Sequence, residues 1–269
     1  MQQFTRRNFL QASVCAALAG GPAYRSAAAV ANSAAWVDRR VYGPFQVVAA
    51  FPLQGLDREL ADLGYLQGEL QRTLAMRPPQ QAVDVYLSAD ERSHKQFLQS
   101  RFPRIPYRRA LYVQSGGRGA VYAFDHRDLP TDLRHECTHA LLHTDLAMVP
   151  LWLDEGLAEY FEPPLAQRAF HHEHLRTLRW NLRLGMVRSI ASLESIHSLD
   201  DMGAEEYRYA WAWAHFMLHG PVAAHRALTG FLADIRRGNP PGVLSARLEQ
   251  AVPEAEAQLV RHFKHWRRG

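Results

Sequence analysis

Cysteine is nearly missing from this chain. Cys15 and Cys137 are the two in 269 residues, too few for a disulfide framework to carry the fold. No apolar run approaches the ~20 residues needed to cross a bilayer. Neither sign of charge dominates, with 31 Lys and Arg against 27 Asp and Glu. So small an excess gives little support for a nucleic-acid partner, and none is expected. Internal repeats are absent, as are low-complexity tracts beyond an Ala-rich stretch near the start, so nothing suggests a solenoid. What is present is 47% hydrophobic residues. That suffices for a sizeable core in one compact unit or two tightly joined lobes.

The start of the chain reads as a targeting segment. Thr5-Arg6-Arg7-Asn8-Phe9-Leu10 precedes a mild apolar stretch, Ala12 to Gly20, and then Ser26-Ala27-Ala28-Ala29. This resembles a bacterial twin-arginine signal, whose pattern is Ser/Thr-Arg-Arg-x-Phe-Leu followed by a small-residue cleavage site. Residues 1–29 are therefore expected to direct export to the periplasm or beyond and to be removed, leaving no stable membrane insertion. Removal takes Arg6, Arg7, Arg25 and no acid, so the remainder is near neutral. It also takes Cys15. Ala12-Ser13-Val14 is a poor lipoprotein box, so no lipid anchor is expected, and Cys137 is left without a partner.

Beyond the signal, periodicity changes once. Phe45–Phe51 and Ala82–Leu87 read as strands, with Leu56 to Leu74 spaced as an amphipathic helix between them. Glu91–Phe102 reads as a helix stopped by Pro103. Ala110–Gln114 and Ala120–Phe124 read as a hairpin around a loop of about five residues, Ser115 to Gly119. After Phe124 the spacing is helical: Leu133–His143, Leu151–Glu162, Ala166–Leu184, Glu205–His219, Ala223–Arg236, Val243–Ala251 and Glu254–Trp266. These patterns place a mixed α/β lobe over residues 36–125 and a helical lobe over residues 126–269.

The chemistry gathers in His135-Glu136-Cys137-Thr138-His139. Side chains at i and i+4 share a helix face one turn apart, so two imidazoles there can share one tetrahedral zinc ion. Glu136, beside them, can take a proton from water activated by that ion. Such a short motif also occurs on ordinary helices, so a second feature is needed. Trp152-Leu153-Asp154-Glu155-Gly156-Leu157-Ala158-Glu159-Tyr160 supplies it, with Glu155 and Glu159 again one turn apart. A carboxylate from the next helix can complete three protein ligands and leave a fourth position open. The other can accept the remaining N–H of a ligating histidine and fix its tautomer. Glu155 is expected as the ligand and Glu159 as its support, the reverse remaining open.

The two segments together resemble the gluzincin metallopeptidases of the MA clan, whose pattern is HExxH followed by W-L-x-E-G-x-A. The likeness is closest to small bacterial peptidase-MA-like proteins and covers roughly residues 105–220. It implies an α+β zincin fold with a small mixed lobe packed on a helical lobe and the active site between them. It implies one zinc ion held by His135, His139 and Glu155, with Glu136 as general base, and a peptide or protein as substrate. The family also places a Tyr ahead of Y-x-x-small-aromatic-Ala. Tyr207-Arg208-Tyr209-Ala210-Trp211-Ala212 fits, which puts Tyr207 at the oxyanion, with Tyr209 and His215 as rivals. The Gly-x-Met-Glu-Asn segment of the large aminopeptidases is missing; Gly119-Ala120-Val121-Tyr122-Ala123 stands at the comparable place without the acid. Ala120–Phe124 remains a candidate open edge for an extended peptide.

Other polar clusters have plainer readings. His143 lies too far along the helix from His135 to share its ion and suits a helix C-terminus. Cys137 faces away from the histidine pair and reads as a small buried residue. His171-His172-Glu173-His174 reads as a solvated helix face, and Trp180, Trp211 and Trp213 as core or groove lining. The rivals to a peptidase are a zinc-stabilised binder of peptides or cell-wall fragments and a zinc amidase acting on peptidoglycan peptides.

Overall fold

The computed structural model describes residues 36–115, 117–170 and 173–267. The expected signal over residues 1–29 lies outside them, as do Cys15, His171 and His172. An N-terminal mixed α/β region is followed by a largely helical C-terminal region. The first contains β1 (Asp38–Tyr42), β2 (Phe45–Ala49), a 3-10 turn (Leu53–Leu56), α1 (Asp57–Leu74), β3 (Val83–Ser88), α2 (Glu91–Arg101), β4 (Leu111–Ser115), β5 (Arg118–Phe124) and α3 (Leu129–Asp145). The second contains α4 (Leu151–Phe161), α5 (Leu165–Arg168), α6 (His174–Arg183), α7 (Ile190–Glu194), α8 (Ala204–His219), α9 (Val222–Arg236), α10 (Leu244–Ala251) and α11 (Ala255–His265). Two compact units result, residues 36–69 with 78–144 and residues 70–77 with 145–267. The division after Thr144 sets α3 with the sheet, whereas the helical spacing alone groups it with the helices from residue 126.

In the first unit the strands lie in the order β1-β2-β3-β5-β4. β2, β3 and β5 are mutually parallel, and β1 and β4 run antiparallel at the two edges. Alternation of Phe45, Val47 and Ala49, and of Val83, Val85 and Leu87, sends these side chains into the core. Leu60, Leu63 and Leu66 begin the buried stripe of α1, which Leu70 and Leu74 continue within the second unit. Asp90 caps α2 by accepting a hydrogen bond from the Ser93 N–H at 2.7 Å. Strand β1 escapes sequence reading because Asp38, Arg39 and Arg40 mask it. Arg40 is held by Asp38 and Asp57, and such charge suits an edge strand that must not recruit another chain.

Two expectations are corrected here. Ala120–Phe124 is not a sheet edge: β5 pairs with β3 on one side and β4 on the other, so the edge is β4. The hairpin loop is also shorter than the five residues expected, because pairing continues to Ser115 opposite Arg118. Gly117, at φ +79°, supplies the left-handed backbone that so tight a reversal needs.

In the second unit α8 is buried on every side from Tyr209 to Met217, the mark of a central helix. Its closest neighbour is α4. A Cβ added to Gly156 would lie 2.5 Å from the Ala210 carbonyl oxygen and 3.2 Å from the Ala210 Cβ, so the crossing requires a glycine on α4 and a small residue on α8. The helix expected over Ala166–Leu184 is broken into α5 and α6. The Ala169 carbonyl accepts from the Trp266 indole at 2.6 Å and lies 3.0 Å from His215 Nε2, so side chains take the acceptor that a continuing helix would use. Asp145 closes the unit, accepting from Arg77 Nε at 2.6 Å and Arg236 Nε at 2.7 Å. Burial pushes its carboxyl upward, but the Arg77 N–H and the two guanidiniums outweigh it and hold it below the usual value.

Gly156→Ala is expected to cost about 2–3 kcal/mol through backbone collision, read as a lower urea midpoint at unchanged slope. A pH dependence follows from two half-buried or buried imidazoles. Burial lowers His94 to about 4, against the opposing Arg108 carbonyl. Burial, with His219 beside it, lowers His262 to about 4. Each folded value lies below the unfolded one, so the unfolded chain binds the proton more tightly. Their stabilisation is therefore complete above about pH 6.5 and is lost as the pH falls towards 4. Urea midpoints across that window should drop for the parent and drop less steeply for His262→Phe and His94→Gln.

Candidate metal centre

Helix α3 is placed by its first turn. Asp132, one turn before Glu136, is buried and takes both arms of Arg109, at 2.6 Å from Nε and 2.7 Å from Nη2. His126 Nε2 lies 3.2 Å from the same carboxylate. Burial alone would raise the Asp132 carboxyl; His126 and Arg109 overcome this and hold it below its ordinary value. Arg109 immediately precedes the Ala110–Ser115 segment, so a bidentate ion pair ties the start of the edge strand to the start of α3. Three residues along, the Tyr112 N–H donates to Glu136 Oε2 at 2.8 Å. That N–H is therefore directed away from β5. The Tyr112 ring fills the space a Cβ on Gly119 would enter at 2.8 Å and stacks on His143, centroids 5.9 Å apart.

On the next turn the ligand candidates converge. His135 Nε2 and His139 Nε2 are 3.3 Å apart. Ligand atoms ~2 Å from one tetrahedral ion stand about 3.3 Å from each other. With a Glu155 carboxylate oxygen they form a group whose ligand atoms all lie within 4.8 Å of one another. All three residues are buried. It is the one such group of three among the described residues. Two imidazole nitrogens and a carboxylate oxygen, in this spacing and out of solvent, fit a metal ion: a cation offsets the cost of burying the acid, and neutral imidazoles are good ligands. Sequence spacing on α3 and α4 thus brings together the three residues it was expected to.

The remaining expected residues fall as follows. Glu136 is buried beside the pair, anchored by Tyr112. Glu159 Oε2 lies 2.9 Å from His174 Nε2, and both residues are buried. His174 is thereby a correction: it is a buried partner of Glu159 and no part of a solvated face, because α6 turns it inward with Leu175 and Leu178. Tyr207 is buried near the start of α8, one turn before the Ala210 crossing. The Tyr209 hydroxyl donates to the Met186 carbonyl. His215 places Nδ1 3.1 Å from His262 Nε2 and Nε2 3.0 Å from the Ala169 carbonyl. Cys137 is fully buried, and burial with the Glu136 charge beside it pushes the thiol well up, leaving it inert. His143 stands in the last turn of α3. Trp211 and Trp213 are core, whereas Trp180 is 60% exposed.

Arg109, Asp132, His126, His174 and the Tyr112 N–H were not found by sequence reasoning. No protein-family model matches the chain, and no curated protein matches it.

Removing the carboxylate should tell a real centre from three neighbouring residues. Glu155→Ala should weaken divalent-metal binding by at least about a hundred-fold in competition with a chromophoric chelator. Glu256→Ala, on the exposed side of α11, should bind as the parent does.

Proposed function

We propose that this chain is a zinc-dependent peptidase of the gluzincin type, exported through its twin-arginine-like leader. The observation that supports it most is the convergence of His135, His139 and Glu155 within 4.8 Å, with Glu136 anchored beside two of them. Two imidazoles and one carboxylate gathered out of solvent suit zinc. When bound, zinc supplies Lewis acidity, lowering the pKa of water and polarising a carbonyl.

The residues of the chain do the rest. Glu136 takes the proton of the attacking water and hands it to the leaving amine. The Tyr112 N–H fixes the aim of its carboxylate. Tyr207 donates its hydroxyl to the oxyanion that develops on the scissile carbonyl. Its place one turn from the Gly156–Ala210 crossing supports that role, since the helix carrying Glu155 passes there. Glu159, one turn past Glu155 on α4 and steadied by His174, is the carboxylate assigned to accept the free N–H of a ligating histidine. Strand β4 takes the role first assigned to Ala120–Phe124. Tyr112 already directs its N–H away from β5, and Gln114, two residues on, presents its backbone to the same side. An extended peptide adding to that edge gives a sequence-tolerant grip. A buried carboxylate beside the ligands favours catalysis over a purely structural metal, which has no use for a base.

The test joins metal analysis to cleavage of a diverse peptide library, with muropeptides as a second arm. The parent should hold about one zinc and cleave peptides in a chelator-sensitive way. Glu136→Gln should keep its zinc while turnover falls about a hundred- to ten-thousand-fold. Near-normal turnover in that variant would exclude the mechanism. Cleavage of muropeptides alone would make the enzyme a cell-wall amidase, and cleavage of neither substrate a zinc-stabilised binder.

A further inference from the structure

Residues 174–193 contain Arg176, Arg179, Arg183 and Arg188 and no acid, in a chain whose charges otherwise nearly balance. Arg188 is answered by Glu206 at 2.7 Å and Glu205 at 3.7 Å. Arg176 and Arg183 make no ion pair among the described residues, and Arg179 donates to the neutral Trp266 carbonyl. At about 100° per residue, Arg176, Arg179, Trp180 and Arg183 fall within an arc of about 100° on α6. The opposite side carries the buried His174, Leu178 and Leu182. Arg176, Arg179, Arg183 and Trp180, with Phe170, border a groove of about 670 Å³. Three large apolar side chains of this stretch are open to solvent: Trp180 at 60%, Leu184 at 59% and Met186 at 46% exposure.

We propose that this face of α6 docks the protein on an anionic phospholipid surface. Guanidiniums without acidic partners draw the face to lipid phosphates. The indole and its apolar neighbours gain by entering the headgroup boundary, where tryptophan is favoured. A soluble polyanion would satisfy the arginines but leave Trp180, Leu184 and Met186 in water, which is why a membrane is the better match. No helix of the described residues is long and apolar enough to cross a membrane, so the contact is peripheral. It stands independently of the peptidase reading, since none of these residues belongs to the metal centre.

The full chain is sedimented with vesicles of phosphatidylcholine alone and with about one-third phosphatidylglycerol. Binding should need the anionic lipid and weaken as salt rises. Each arginine near such a surface contributes about five-fold, so R176Q/R183Q should bind about twenty-five-fold more weakly. Trp180→Ala should also bind more weakly, with circular dichroism and zinc content unchanged in both variants. Residues 1–35 are common to all proteins compared, so any loss localises to α6. Equal binding to both vesicle types, or undiminished binding by R176Q/R183Q, would overturn the proposal. So would displacement by polyglutamate that Trp180→Ala leaves unaffected, which would make the groove a site for acidic peptides.

Discussion

Two imidazole nitrogens and a carboxylate oxygen held within a few ångströms of each other, away from solvent, set the electrostatic condition for this protein. Burying one acid among uncharged groups is costly, and α3 and α4 bury several: Asp132, Glu136, Asp154, Glu155 and Glu159. Named partners answer three of them. Arg109 and His126 hold Asp132, the Tyr112 N–H holds Glu136, and His174 holds Glu159. The Glu155 carboxylate is the one that sits with two imidazole Nε2 atoms, where a dication is the natural complement.

Precision at the centre comes from crowding as much as from charge. Gly156 follows Glu155 directly, and its missing Cβ lets α4 lie against the Ala210 backbone. A helix pressed that close to its neighbour cannot rotate without collision, so the orientation of Glu155 is inherited from packing. The edge strand is fixed in the same spirit at two points three residues apart, by the Arg109 ion pair and the Tyr112 N–H. The three converging side chains, Glu136 and the sheet edge therefore rest on helices and a strand, which holds their positions closely.

The convergence of His135, His139 and Glu155 was legible because it starts from local spacing. Four residues on a helix bring His135 to His139, and the same step relates Glu155 to Glu159. The leucine stripe of α1 and most helix limits were legible for the same reason. Partners that depend on distant pairing were not. Arg109 finds Asp132 across 23 residues and Glu159 finds His174 across 15, and no periodicity encodes either. The edge strand was misplaced because β4 and β5 have similar composition, and only strand order tells an edge from a centre. The break between α5 and α6 was hidden because its cause, the Trp266 indole on the Ala169 carbonyl, lies 97 residues away.

Asp145 has a consequence for how the polypeptide can reach this state. Its carboxylate is shared by Arg77 and Arg236, segments separated by 68 and 91 residues from it in opposite directions. His225 Nε2 reaches back to the Thr73 carbonyl at 2.7 Å, across 152 residues. During synthesis the helical unit therefore cannot close around the end of α1 until α9 has left the ribosome. Until then the leucines at the end of α1 await their partners, an interval in which the nascent chain is a natural client for a chaperone.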